Sequence, residues 1–147
     1  MSDLVESIPG SDSVIRWFGR WPSFHDAEVL AIELRRDKPS RIVLVAWNTA
    51  DSPDQHGYFQ RQRDAEVTIT LERIADMALE DFDSQNVLAS VVIEPVDSRW
   101  RITLNPLSGI GGWLIAEKLS IACIAVSSAN QSCRWIRCRF RFRESQL

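Results

Sequence analysis

The stretch Ala65-Glu66-Val67-Thr68-Ile69-Thr70-Leu71-Glu72 alternates apolar and polar side chains along most of its length. Successive side chains of a β-strand point to opposite faces. Val67, Ile69 and Leu71 are therefore predicted to face a core, while the polar residues between them face outward. This pattern is typical of a strand in an antiparallel sheet that is buried on one face only.

Other segments on both sides of this stretch also have strand character. The predicted strands are residues 29–35, 41–48, 65–72, 88–94, 99–104, 113–126 and 133–143. Short turns join the first two and also the fourth and fifth, so these pairs are predicted to form hairpins. In the first strand, Leu30, Ile32 and Leu34 are expected on the buried face. Residues 49–64 are predicted to be a long polar loop.

One short amphipathic helix is predicted over residues 12–19, with Asp12 or Ser13 as its cap. Residues 74–79 are compatible with one or two further helical turns. The expected fold is therefore α+β and mainly β. We predict a single domain over residues 1–147, with a six- or seven-stranded, mostly antiparallel sheet and one or two short helices.

Composition narrows the class of protein. The chain has 147 residues, 45% of them hydrophobic and 25% charged, which is ordinary for a globular domain. Its longest apolar run is too short to cross a bilayer, and its first residues lack a secretory pattern. The spacing of Cys123, Cys133 and Cys138 matches no zinc motif. We therefore expect a cytoplasmic protein with reduced thiols, no bound metal, no cofactor and no membrane contact.

The densest polar cluster is the segment Phe24-His25-Asp26-Ala27-Glu28. If a strand begins at His25, Asp26 and Glu28 share its apolar face, where carboxylates need partners. They could act as an acid pair for metal binding or general acid–base chemistry. Alternatively, one of them anchors the fold by accepting hydrogen bonds from loop amides or from an arginine.

Glu117 is a second carboxylate in an apolar setting. In a strand it shares a face with Trp113, Ile115, Leu119 and Ile121, so it is expected to be paired or to sit in a pocket. Arg99 or Arg101 of the preceding strand is the expected partner. No complete catalytic motif accompanies these acids.

Charge is distributed unevenly along the chain. Residues 1–97 hold 18 acidic and 9 basic side chains, whereas residues 98–147 hold 2 acidic and 8 basic ones. Neither hydrophobic periodicity nor burial explains the positions of six acidic residues: Asp51, Asp54, Asp76, Glu80, Asp81 and Asp83. They form either a solvated surface or a face that docks a basic protein. The arginine row, Arg137, Arg139, Arg141 and Arg143, either solvates an edge strand or binds nucleic acid, and the acidic net charge of the chain favours the first alternative.

Three segments resemble bacterial immunity proteins of the Imm50 type, which are encoded beside polymorphic toxins. The most specific is Gly19-Arg20-Trp21-Pro22-Ser23-Phe24-His25-Asp26-Ala27-Glu28-Val29, and the others are residues 81–88 and 100–119. The resemblance covers residues 14–125. It implies neutralisation of a cognate toxin by direct binding, without catalysis. We expect its motif residues to be structural: Trp21, Phe24, His25, Asp26, Glu28 and Glu117.

Two functional hypotheses follow. In the first, the unexplained acids bind a cognate toxin and occlude its active site, a nuclease being one candidate, with no direct contact to nucleic acid. Whether this protein is a monomer or a dimer, and whether the arginine row is the contact surface instead, stays open. In the second, a small-ligand-binding protein or enzyme uses Asp26, Glu28 and Glu117, which requires a deep polar pocket that joins them.

Overall fold

Two short helices precede a set of six strands. The computed structural model describes residues 2–49, 55–57 and 61–126. The helices are α1 (Ser2–Glu6) and α2 (Ser11–Phe18). The strands are β1 (Glu28–Glu33), β2 (Ser40–Thr49), β3 (Arg61–Glu80), β4 (Val87–Val96), β5 (Arg99–Ser108) and β6 (Gly111–Ala125).

The six strands form one closed antiparallel sheet in the order β1-β2-β3-β6-β5-β4. Five of the six junctions are extended ladders, whereas β1 meets β4 at the single pair Glu28 and Val87. The predicted mainly β fold with an antiparallel sheet and two short helices is confirmed. The predicted strand at residues 133–143 lies outside the described residues.

The core lies inside the closed sheet. Val67, Ile69 and Leu71 are buried, which confirms the inward face predicted for this stretch. The same interior holds buried side chains from β2, β5 and β6, and α2 adds Val14 and Phe18. Each fully buried aliphatic side chain contributes about 1.5–3 kcal/mol through removal of apolar surface from water. The hydrophobic effect thus favours closure of the sheet around these side chains.

The helical turns predicted at residues 74–79 are wrong, because β3 runs through them to Glu80. Its pairing with β6 shifts by one residue between Ile74 and Asp76, and Arg73 has a φ of 58°. This β-bulge inserts an extra residue into one strand. The half-buried side chains of Ile74 and Met77 therefore lie three residues apart, a step that also occurs on one face of a helix, before the two-residue step of a strand resumes at Leu79.

A second bulge changes the predicted faces of β1. The strand begins at Glu28, not at His25, and its register with β2 shifts between Val29 and Ala31. As a result Val29 is buried, whereas Leu34 lies beyond the strand and is 51% exposed. The predicted buried face that included Leu34 is therefore wrong.

The start of α2 also differs from the prediction. The residue before it is Gly10, with a φ of 89°, and no side chain caps the helix. A Cβ at this position would collide with the carbonyl oxygen of Ile121 on β6. Only glycine fits this close approach in a left-handed conformation, so Gly10 lets the helices pack closely beside β6.

The structure also describes the helices and one of the three cysteines, which the sequence predicts to be free of membrane contact and reduced, respectively. No helix in the described ranges is long and apolar enough to cross a membrane. Cys123 is a half-buried free thiol, and desolvation by burial raises its pKa above the ordinary value. A raised pKa favours the unreactive protonated thiol. Cys133 and Cys138 lie outside the described residues.

Candidate functional site: an acidic rim beside the sheet closure

The closure of the sheet brings two of the quoted motif segments together. The amide of Asp26 donates to the carbonyl of Leu88, and the amide of Leu88 donates to the carbonyl of Ala27, both at 2.8 Å. The amide of Val29 donates to the carbonyl of Asn86, also at 2.8 Å. These bonds join the segment around Phe24–Val29 to the start of β4.

The Phe24–Glu28 segment is a tight turn rather than the start of a strand. Phe24 and Asp26 have φ values of 59° and 65°, and the amide of Ala27 bonds back to the carbonyl of Phe24 at 3.1 Å. The Phe24 ring is buried and meets Trp21 edge to face, with ring centres 5.7 Å apart. The backbone hydrogen bond and the buried Phe24 ring together fix the conformation of this turn.

The polar side chains of this turn face outward. His25 and Asp26 are exposed, with the Nε2 atom of His25 3.7 Å from a carboxylate oxygen of Asp26. Nδ1 of His25 lies 3.2 Å from the carbonyl oxygen of Ala89. Because β1 begins only at the half-buried Glu28, Asp26 does not share an apolar strand face with it. The predicted arrangement of these two carboxylates is therefore wrong.

Asn86 holds the neighbouring loop together. Its side chain is buried, and its Oδ1 atom accepts from the amides of Asp83 at 2.9 Å and Ile110 at 3.0 Å. Its Nδ2 group donates to the carbonyl of Asp83 at 2.7 Å. One amide thus ties the β3–β4 loop to the β5–β6 turn, while its backbone carbonyl holds β1. Sequence reasoning missed this residue, although it lies within the motif segment 81–88.

Four exposed acids lie along the end of β3 and the loop that Asn86 holds. We call this set the acidic rim: Asp76, Glu80, Asp81 and Asp83. Phe82, 59% exposed, lies among them. The Asp83 carboxylate accepts from the amide of Ser84 at 2.7 Å, which adds to the order of the loop. Asp51 and Asp54, predicted for the same surface, lie outside the described residues, as does the arginine row.

Glu117 faces solvent rather than the core. It pairs with Arg73 of β3 at 3.2 Å, so the predicted partners Arg99 and Arg101 are wrong, and so is its predicted place on a buried face. The guanidinium of Arg101 instead lies 5.0 Å from the centre of the Trp113 ring. The register of β3 with β6 places Arg73 opposite Glu117, two residues before the bulge begins.

The Glu117–Arg73 pair should contribute little to stability. The two side chains are 41% and 76% exposed, and exposed ion pairs are worth about 0–1 kcal/mol. Glu117→Gln should therefore lower the free energy of unfolding by less than about 1 kcal/mol in urea denaturation. A loss of several kcal/mol would show that Glu117 has a buried role.

Two surface depressions, each of about 410 Å³, lie beside this pair. Glu72 and Lys118 line both, and Glu117 lines one of them, but neither is lined by Asp26 or Glu28. In the part of the chain that the structure describes, no group of three or more His, Cys, Asp or Glu side chains is placed to hold a metal ion.

A comparison with models of protein families identifies the family of this chain. The family model described as immunity protein 50 (Imm50) matches residues 10–138. The chain belongs to this immunity protein family. Within the Imm50 match lie the sheet closure, Asn86 and the acidic rim, and the match extends past the resemblance at residues 14–125. Searches of curated proteins and of solved structures returned no match for this Imm50 protein.

Proposed function

We propose that this Imm50 protein binds a cognate toxin and neutralises it by covering the toxin's active site with the acidic rim. The observation that carries the proposal is the set of four exposed acids, two of them on β3 and two on the loop that Asn86 holds. Asp51 and Asp54 are proposed to join the same contact surface. The motif residues of the turn at Phe24–Glu28 are proposed to serve the fold, and Glu117 to add to it only slightly, through its exposed pair with Arg73.

The order of the loop favours tight binding. A surface that is fixed before binding loses less conformational entropy when the partner docks. The hydrogen bonds of Asn86 and the Asp83 carboxylate fix the part of the loop from Asp83 to Asn86. The exposed ring of Phe82 supplies an apolar anchor among the acids, as aromatic residues do in many interfaces.

A nuclease is the toxin class that fits this surface best. A nuclease cleft is basic because it must hold phosphate groups. An acidic loop that enters such a cleft excludes the nucleic acid by charge and volume, without touching catalytic groups. The arginine row at residues 137–143 is the competing contact surface, and it suits an acidic toxin.

Co-expression tests the proposed function. The toxin domain encoded beside this gene is expressed in a bacterial host, either alone or together with this protein. We expect growth only when both are present. Equal killing in both cultures, with this protein soluble and abundant, would contradict the proposal.

Salt dependence should distinguish a charged contact from an apolar one. Exposed charges are screened beyond about 8–10 Å at 0.1–0.15 M salt. We therefore expect the association rate constant to fall by at least about tenfold between 0.03 M and 0.5 M sodium chloride, with a smaller change in dissociation. Stopped-flow fluorescence or surface plasmon resonance measures both. A salt-independent association rate would exclude electrostatic steering.

A further inference from the structure

The upper part of β3 has one unpaired edge. The ladder with β2 ends at the pair Ser40 and Leu71, but β3 continues to Glu80. Over this extension β3 pairs on one side with β6. Its other side pairs with no strand of the described ranges. An unpaired strand edge presents backbone donors and acceptors that another chain can use.

One close approach shows which backbone groups face this edge. A Cβ placed on Gly112 of β6 would collide with the carbonyl oxygen of Ala78, so that carbonyl points toward β6. Backbone groups of alternate strand residues point to opposite edges. The N–H and C=O groups of Met77 and Leu79 therefore face the unpaired edge.

The hydrogen bonds agree with this orientation. The amide of Met77 donates to the carboxylate of Asp76 at 2.9 Å instead of to a neighbouring strand. No described residue accepts a hydrogen bond from the amide of Leu79 on this side of β3. Within the described part of the chain, the edge thus offers a donor at Leu79 that no residue uses, and acceptors at Met77 and Leu79.

We propose that an extended segment of the toxin, with basic side chains at alternate positions, adds to this edge of β3 as a further strand. The exposed residues Asp76, Ala78 and Glu80 lie on one face of the extension. Side chains on adjacent strands lie about 4.5–5.5 Å apart, so lysine or arginine on the added strand would meet these carboxylates. A second copy of this chain fits less well, because it would bring like charges together.

This inference rests on the proposed function and adds a main-chain mode of recognition to it. Amide hydrogen exchange of the full-length protein tests it at single residues. In the free protein the amide of Leu79 should exchange quickly, whereas that of Ala78, in the ladder with β6, exchanges slowly. Binding of the catalytically inactive toxin domain encoded beside this gene should slow exchange at Leu79 by at least about tenfold.

A matched pair of variants tests the role of the Leu79 donor. Leu79→Pro removes the N–H group, whereas Leu79→Val keeps it with a side chain of similar size. Equilibrium binding should weaken by about 10-fold or more in Leu79→Pro relative to Leu79→Val. Melting curves of the two variants serve as the folding control. Equal affinities would overturn the proposal.

A synthetic peptide tests the edge independently of the toxin. An end-capped peptide of alternating lysine and valine should slow exchange at Leu79, and a peptide of alternating glutamate and valine should not. If the toxin binds but leaves exchange at Leu79 unchanged, the edge proposal fails and the proposed function stands. If the toxin does not bind, the proposed function fails and the toxin is not the occupant of the edge, even where the lysine peptide protects Leu79. Slow exchange at Leu79 in the free protein would mean that the edge is already occupied, which overturns the proposal.

Discussion

Reversal of two charges at the acidic rim, in the double variant Glu80→Lys/Asp81→Lys, should weaken toxin binding by about 100-fold, or about 3 kcal/mol. Close charge pairs across an interface are coupled by about 1.5–7 kcal/mol, and a lysine replaces attraction with repulsion. The side chains of Glu80 and Asp81 make no hydrogen bond or ion pair with other described residues, so the fold should survive. Isothermal titration calorimetry with the inactive toxin domain measures the change.

A matched control is the double variant Glu94→Lys/Asp97→Lys in the β4–β5 hairpin. Both residues are exposed, and the change in net charge is the same. Asp97 and Asp81 also share a left-handed backbone, with φ values of 57° and 63°, so a lysine meets similar strain at each position. The control should change affinity by less than about threefold if only charges near the contact matter. Equal losses in both variants would mean that net charge, rather than the acidic rim, governs binding.

Asn86→Ala should lower the free energy of unfolding by about 2–4 kcal/mol, because its side chain makes three hydrogen bonds in a buried setting. Without it, the buried amide of Ile110 loses its acceptor. The loop that carries the acidic rim loses its attachment as well. Urea denaturation followed by tryptophan fluorescence measures the stability, and the toxin-binding assay should show a parallel loss of affinity.

Asn105→Ala is the comparison for this prediction. Asn105 is half-buried, and its side chain donates one hydrogen bond, to the hydroxyl of Ser90 at 2.8 Å. We expect a loss of about 0.5–1.5 kcal/mol, with unchanged toxin affinity. If Asn86→Ala costs no more than Asn105→Ala, then Asn86 does not hold the loop.

The strands with regular alternation could be predicted from the sequence. The stretch around Val67–Leu71 has the inward face that its pattern indicates, and the hairpin of β4 and β5 forms where expected. The β-bulges in β1 and β3 could not be predicted, because a bulge depends on how a strand pairs with its neighbour. They account for the false helix at residues 74–79 and for the exposed Leu34.

The candidate site was predictable only in part. The acids of the rim stood out because neither periodicity nor burial explains them, and Asp76, Glu80, Asp81 and Asp83 are all exposed. Asn86 did not stand out, since its role comes from contacts with a turn more than twenty residues away. For the same reason the pairing of Glu117 with Arg73 required the register of β3 and β6.

Neutralisation by direct binding is the main part of the function proposed for this Imm50 protein. In the most direct test, the toxin domain encoded beside the gene is kept at a concentration well above the dissociation constant of the complex. Its activity is measured while the purified Imm50 protein is titrated in. We predict a linear loss of activity that ends at a fixed molar ratio, and a shallower, incomplete loss without that end point for Glu80→Lys/Asp81→Lys at matched concentration. Full toxin activity in the presence of saturating wild-type protein would contradict the account.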